Sequence, residues 1–408
     1  MTKTTQSMLA EVRKLAPDIM SRVAEIEALR QLPSDLVEAL RAIGIFRMLV
    51  PRGHGGLELD LPSALEIIRA LAKIDGSVGW NAMIGSGGGI FAPLLSHEIY
   101  DRIYENGPDT IIAGSTQPAG TAEKEGDHWR INGRWPFASG CVHAEWMLAL
   151  CKTTDGGKPL LDDRGFAVVR GFILPANDWE IEDTWHVAGL KGTGSHHIKV
   201  RNAVVPAAHF FDLEAGLPCV PGPLYEAVRQ FLPLLHAAFD IGVAEGALDD
   251  LIELAGSGHQ QQRTARPMRD SEAFQFELGR VSAELRAARA FFQAQVESHW
   301  RHALAGTLKD DTLLIEGTQA GIWIASACVR VVDACFALAG GIAVYDSSPL
   351  QRRLRDLHVA AQHATVHQRQ YAAAGQAVFT QARPQVEYRH ANGASRRDGG
   401  GVGQLVEK

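Results

Sequence analysis

The chain reads as mainly α with a β-domain: an N-terminal helical domain, a central β-barrel or sandwich, and a C-terminal four-helix bundle. Three observations carry this. The hydrophobic period is helical over residues 1–110, breaks into short alternating runs over 111–215, and returns to long glycine-poor helical stretches over 225–383. At 408 residues the chain exceeds one ordinary core, so two or three domains are expected. A hydrophobic share of 46% against 21% charged residues is that of a globular chain with cores to fill. The remaining segment, 384–408, is polar and glycine-rich from Asn392 onward and reads as a flexible tail.

Each zone has its own signals. Leu36, Leu40 and Ile43 repeat at helical spacing, and Gly44 supplies the stop. Asp60 is placed to cap a second helix that carries Leu65, Ile68 and Leu71, with the Pro51–Gly56 stretch as the loop before it. The run from Trp80 to Gly89 is unusually rich in glycine for a helix, and reads either as a loop or as room for a ligand. In the middle zone Gly126-Asp127 marks a two-residue hairpin turn. Strands are expected over 145–152, 166–174, 179–183 and 196–204, which suggests a small barrel or sandwich. In the last zone helices are expected over 234–254, 271–303 and 312–338. The third is apolar or small nearly all round and should lie inside a bundle.

Composition removes several function classes. A formal charge of −7 with dispersed basic residues offers no stripe for a phosphate backbone, so nucleic acid is not the expected partner. Five cysteines, odd in number and without CxxC spacing, are the usage of a reducing compartment. The first residues lack a signal-peptide pattern, and Arg330 and Asp333 interrupt the most apolar helix, so no membrane partner and a cytoplasmic location are expected.

Three segments carry chemistry. The first is Gly133-Arg-Trp-Pro-Phe-Ala-Ser-Gly140, a strand-like run ending in the hydroxyl of Ser139, two residues after Phe137. A strand serine taken alone is usually satisfied by neighbouring backbone. The second, Trp185-His-Val-Ala-Gly-Leu-Lys-Gly-Thr-Gly-Ser195, brings Lys191, Thr193 and Ser195 into a loop whose glycines permit close approach to a flat ring. It lacks the third glycine and the βαβ setting of a dinucleotide fingerprint. The third is Arg355-Asp-Leu-His-Val-Ala-Ala-Gln-His-Ala364 on a late helix, with His363 at its end. His363 and His367 are four apart, the spacing of a metal pair. No HExxH glutamate or other ligand cluster accompanies them, so no metal is expected.

With its α, β, α order and these three segments, the chain resembles the acyl-CoA dehydrogenase superfamily over nearly its whole length. Within it the resemblance is to the two-component, reduced-flavin-dependent monooxygenases. That likeness implies an acyl-CoA dehydrogenase-like fold with flavin between barrel and bundle, and a homotetramer assembled as a dimer of dimers through the C-terminal helices. It implies that Ser139 bonds flavin N5 and that Phe137 lies beside the ring. Thr116 and Gln117 would approach the pyrimidine edge, and Lys191, Thr193 and Ser195 would contact ring or phosphate oxygens. It places His363 as the active-site histidine, deprotonating a phenol or managing the oxygen proton. The reaction implied uses reduced flavin (FMNH2 or FADH2) and O2, passes through a C4a-hydroperoxyflavin, and hydroxylates a small aromatic or heteroaromatic substrate. A fixed acceptor for N5–H, on the order of 1–3 kcal/mol in a dry site, slows loss of hydrogen peroxide from that species.

Two departures separate this chain from the dehydrogenase branch. Ser347 occupies the point two residues before Pro349 where dehydrogenases carry their glutamate base, and Asp346 beside it is expected to point elsewhere. The alternative base position falls near Leu232. The stretch from Gly256 to Pro267 also lacks the pattern that holds the distal half of FAD, which makes FMN plausible. Arg263 and Arg266 lie there without an assigned role. No NAD(P)H fingerprint is present, so a separate NAD(P)H:flavin reductase is expected to supply reduced flavin. Trp80, Met83, Phe231, Leu235 and Phe239 are expected to wall an apolar substrate pocket. An N- or S-oxygenating relative of the same fold, and a dehydrogenase-like flavoprotein with a displaced base, remain as alternatives.

Overall fold

A computed structural model describes residues 5–260 and 266–381. The expected tail and Arg263 lie outside the described residues. The first zone folds into six helices: α1 (Thr5–Ser21), α2 (Val23–Leu29), α3 (Ser34–Ile43), α4 (Leu61–Ile74), α5 (Gly76–Phe91) and α6 (His97–Ile103). Their ends obey local chemistry. Gly44 closes α3 in the left-handed region at φ +93°, and Asp60 opens α4 by accepting the Ser63 N–H. The glycine-rich stretch is a helix and not a loop. Buried α5 uses those glycines for contact: a Cβ on Gly88 would meet Ile112 at 2.6 Å, and one on Gly89 the Leu49 backbone at 2.9 Å. Gly87 differs, because a Cβ there would meet nothing within 4 Å.

The middle zone is an eight-stranded sheet: β1 (Ile112–Glu125), β2 (His128–Ala138), β3 (Trp146–Asp155), β4 (Lys158–Pro159), β5 (Val169–Pro175), β6 (Glu180–Glu182), β7 (His196–Pro206) and β8 (Phe210–Phe211). Its order is β6-β7-β2-β1-β3-β5-β8, with β4 on β3. β1 and β2 pair antiparallel across Gly126-Asp127, as the turn signal predicts, and β1 pairs β3 in parallel. The sheet closes by side-chain packing and not by a last ladder. Trp179, just before β6, stacks on Phe172 of β5 at 5.3 Å, and Trp135 of β2 packs edge-on to Trp179 and tilted against Phe172. This aromatic cluster is a core of its own, distinct from the large core shared by the helices.

The last zone holds α7 (Leu232–Gly256), α8 (Glu272–Leu304), α9 (Asp311–Ala339), α10 (Pro349–Ala360) and α11 (Tyr371–Gln381). The innermost helix is α7, buried at every position from Pro233 to Ala247. The sequence pattern places α9 inside the bundle, and the structure corrects this in part: α9 packs there but is not covered on every side. α9 leaves Trp323 37% exposed, in edge contact with Phe291 of α8, so part of its apolar surface faces outward. An all-round apolar pattern cannot distinguish a helix buried in its own chain from one covered by another.

Candidate active site

Ser139 follows directly on β2 and is nearly enclosed. Gly140 after it turns the chain at φ +73° and donates its N–H to the Thr193 carbonyl (2.8 Å), which joins the Ser139 turn to the glycine-rich loop. That loop is clamped from three directions. From α5, Ser77 Oγ accepts the Gly192 N–H (3.1 Å), and the Asn81 amide donates to the Gly192 carbonyl (3.1 Å). From α10, Arg355 donates to the Ala188 carbonyl (2.6 Å), and Asp356 Oδ1 accepts the Leu190 N–H (2.6 Å). From within, Trp185 Nε1 donates to the Leu190 carbonyl (3.1 Å).

Two of the loop's glycines serve the protein itself. A Cβ on Gly189 would meet the Arg355 carbonyl at 2.2 Å, and one on Gly192 would meet Ile26 at the same distance. At Gly189 and Gly192 what approaches closely is α10 and α2, whereas Gly194 at φ +54° meets nothing nearer than 3.4 Å.

Ser139 Oγ accepts the Trp80 indole N–H (2.9 Å) and lies 2.7 Å from Ser195 Oγ, which in turn lies 2.7 Å from Thr193 Oγ1. Trp80 is also the hub of a ring cluster. Its ring stands edge-on to Phe239 at 5.0 Å, to His236 at 5.4 Å and to His363 at 5.6 Å. The two residues singled out for chemistry, Ser139 and His363, thus touch the same indole although 224 positions separate them.

His363 is not on a helix. α10 ends at Ala360, and His363 begins a short 3-10 turn with its Nδ1 accepting the Thr365 N–H (3.2 Å). A nitrogen that accepts carries no proton, so the neutral ring is the Nε2–H tautomer. Burial against these rings, reinforced by neighbouring His236, lowers the His363 pKa to about 3. His367 starts the following turn, so the two histidines do not share a helical face. Among the described residues no group of three or more histidine, cysteine or acidic side chains could hold a metal ion. His358 points elsewhere, to Asp333 on α9 (2.7 Å).

Sequence reasoning missed His236 and Asp240. Both lie on α7, 2% and 0% exposed, with Nδ1 and Oδ2 at 2.9 Å. His236 Nε2 faces the Ala360 carbonyl (3.2 Å), so the ring is held at both nitrogens, by Asp240 on one side and by backbone on the other. The signal was present in the sequence: two polar residues four apart in the otherwise apolar first half of α7.

The other expected site residues are placed as follows. Phe137 is 62% exposed at φ +64°, a strained value for an aromatic residue, with Trp185 and His197 edge-on at 6.3 and 6.2 Å. Thr116 and Gln117 are exposed in a bulge of β1, where the register on β3 shifts between Ser115 and Gly120. Lys191 opens the short turn that contains Thr193, and is half-buried. Met83, Phe231 and Leu235 are buried in the shared helical core, Phe231 completely. Ser347, Asp346 and Arg266 are exposed.

Comparison with known proteins identifies the family. The family model for the acyl-CoA dehydrogenase N-terminal domain matches residues 2–97, and that for the C-terminal domain matches residues 234–368. Indole-3-acetate monooxygenase of Pseudomonas putida is 32% identical over 364 residues, 88% of this chain and 90% of that protein. The chain belongs to the acyl-CoA dehydrogenase family, in its flavin-dependent monooxygenase branch. The FADH(2)-dependent resorcinol hydroxylase oxygenase component of a Rhizobium species is 28% identical, over 90% of this oxygenase and 92% of that protein. The crystal structure of the HsaA monooxygenase from M. tuberculosis superposes with a TM-score of 0.85 at 27% identity, covering 93% of this chain and 100% of that one.

Proposed function

We propose that this protein is the oxygenase component of a two-component monooxygenase, using reduced flavin and O2 to hydroxylate a small aromatic or heteroaromatic substrate. One observation carries the reading: the fold brings Ser139 and His363 onto a single indole, with apolar rings around them. The residues present suit a flavin. Phe137 offers an exposed ring, and His197 Nδ1 beside it is buried without a protein partner. Bound reduced flavin would supply the electrons that activate O2. Ser139 would accept a hydrogen bond at N5, Phe137 would pack beside the ring, and Thr116, Gln117 and Lys191 would contact its polar edge.

His363 acts in this reading as a hydrogen-bond donor through Nε2–H, toward oxygen on the substrate or on the activated flavin. Its Nδ1 is occupied by Thr365, and its pKa is too low for it to hold a proton taken from a phenol at neutral pH. Trp80, Phe239 and Met83, with the space beside Gly87, would receive the substrate ring.

A separate NAD(P)H:flavin reductase supplies the reduced flavin in this scheme, as the two-component relatives suggest. FADH2 is the favoured form, in line with the resorcinol hydroxylase relative, and a cytoplasmic location accords with five unpaired thiols. The outward apolar face of α8 and α9, centred on Phe291 and Trp323, supports a homotetramer. Trp323→Glu should lower the sedimentation mass below that of a tetramer, and an unchanged mass would exclude this face from the interface.

The function itself is tested by anaerobic titration with FMNH2 and FADH2, followed by O2 and candidate phenols and indoles. Tight binding of reduced flavin with oxygen incorporated into product is expected. Firmly held oxidised FAD that an acyl-CoA bleaches would overturn the reading in favour of a dehydrogenase.

A further inference from the structure

Four side chains and one carbonyl form a continuous hydrogen-bonded line. It runs from Trp80 Nε1 to Ser139 Oγ (2.9 Å), to Ser195 Oγ (2.7 Å), to Thr193 Oγ1 (2.7 Å) and to the Leu190 carbonyl (2.9 Å). An indole N–H can only donate, and a carbonyl can only accept. Those two ends set every proton between them. Thr193 gives its proton to Leu190 and so accepts from Ser195. Ser195, its own proton spent, accepts from Ser139. Ser139 therefore gives its one proton to Ser195 and takes the Trp80 N–H on one lone pair. A single lone pair is left over.

The line ends on a shared sink whose nearest donor is the Thr193 hydroxyl, at 2.9 Å. The Leu190 carbonyl also receives the Thr193 N–H (3.1 Å) and the Trp185 indole N–H (3.1 Å). Leu190 itself sits at φ +51°, its N–H held on Asp356. All four side chains in the line are at most 6% exposed, so water does not compete for their protons.

We propose that Trp80, Ser195 and Thr193 are positioning residues that hold the Ser139 hydroxyl as an obligate hydrogen-bond acceptor toward the bound cofactor. The proposal rests on the reading in which Ser139 meets flavin N5. Reduced flavin carries a hydrogen on N5, whereas oxidised flavin presents a lone pair there. An acceptor-only Ser139 bonds the first and opposes the second, while a serine free to rotate serves both. The line thus gives the apoprotein a preference for the redox state in which flavin arrives.

The test is the ratio of dissociation constants for FAD and anaerobic FADH2. It is measured in the wild type, Ser195→Ala, Ser195→Thr, Thr193→Val and Ser139→Ala. Removing Ser195's hydroxyl frees the Ser139 proton, so the ratio should fall by about tenfold, while Ser195→Thr keeps it. The Trp80 indole N–H resonance, assigned with Trp80→Phe in flavin-free protein, should move in both Ser139→Ala and Ser195→Ala. It also reports that the variants are folded. If Ser139→Ala abolishes the preference and neither Ser195→Ala nor Thr193→Val changes it, the proposal is overturned and the Ser139 contact survives. If Ser139→Ala leaves the preference unchanged too, the flavin reading of Ser139 falls.

Discussion

Replacing His363 with glutamine and with alanine distinguishes a proton donor from a base. Glutamine carries an N–H donor at about the reach of Nε2 but cannot accept a proton near neutrality; alanine offers nothing. An ordinary histidine of pKa 6.5 would be roughly three-quarters neutral at pH 7 and almost wholly cationic at pH 5. At a pKa of about 3 the His363 ring is neutral at both. Product formation should therefore show no acid limb near pH 6.5 that belongs to His363. Loss of a donor aimed at developing charge costs about 3–4 kcal/mol, so His363→Ala should lower kcat by about 10²–10³, with His363→Gln recovering at least a tenth of wild-type activity.

The same depressed pKa predicts the pH dependence of folding. The unfolded ring takes a proton below 6.5 and the folded ring resists it, so this contribution is present above 6.5 and is lost as pH falls toward 3. Urea melts of His363→Gln should show less acid destabilisation than wild type. An acid limb near pH 6.5 that vanishes in His363→Gln, with glutamine as inactive as alanine, would refute the donor role.

Further outcomes at four positions follow from local contacts. Gly87→Ala should raise stability by about 0.5–1 kcal/mol in urea melts, since its Cβ meets nothing, while raising KM for ring substrates. Gly89→Ala should destabilise by about 1–3 kcal/mol against the Leu49 backbone. Burial, and then Asp75, push the Asp356 pKa up to about 7, so its contribution is full below the ordinary 3.8 and is lost as pH rises through about 7. Asp356→Asn should flatten that dependence in melts from pH 4 to 8 while still accepting the Leu190 N–H, and Asp356→Ala should lose that bond at about 1–3 kcal/mol. His236→Phe should destabilise by about 3–5 kcal/mol because it strands Asp240 in the core, and adding Asp240→Leu should restore most of the loss.

What the sequence made legible was what short range decides. Periodicity located the helices, Gly126-Asp127 the hairpin, and Asp60 and Gly44 their caps, because each effect acts within one turn of chain. The residues of the site were legible by type, not by partner. Nothing near Trp80 in sequence marks it as the donor to Ser139, and nothing in Ala360-Ala-Gln-His363 shows the helix stopping before the histidine. Long-range packing also chose α7 over α9 for the centre, although both are apolar. The His236–Asp240 pair was visible as an anomaly, but its pairing becomes evident only once α7 is known to be buried on every side.

The Arg355-Asp356 pair explains how two distant groups come to serve one site. Arg355 also bonds Glu27 on α2 (2.8 Å), so a single turn of α10 grips both α2 and the loop bearing Thr193 and Ser195. Seven residues beyond Asp356, the same segment delivers His363 to Trp80. Moving α10 would therefore displace His363 and loosen the acceptor end of the Ser139 line together. The separation between hydroxyl and imidazole is thus set neither by the sheet nor by the bundle alone, but by the clamp between them.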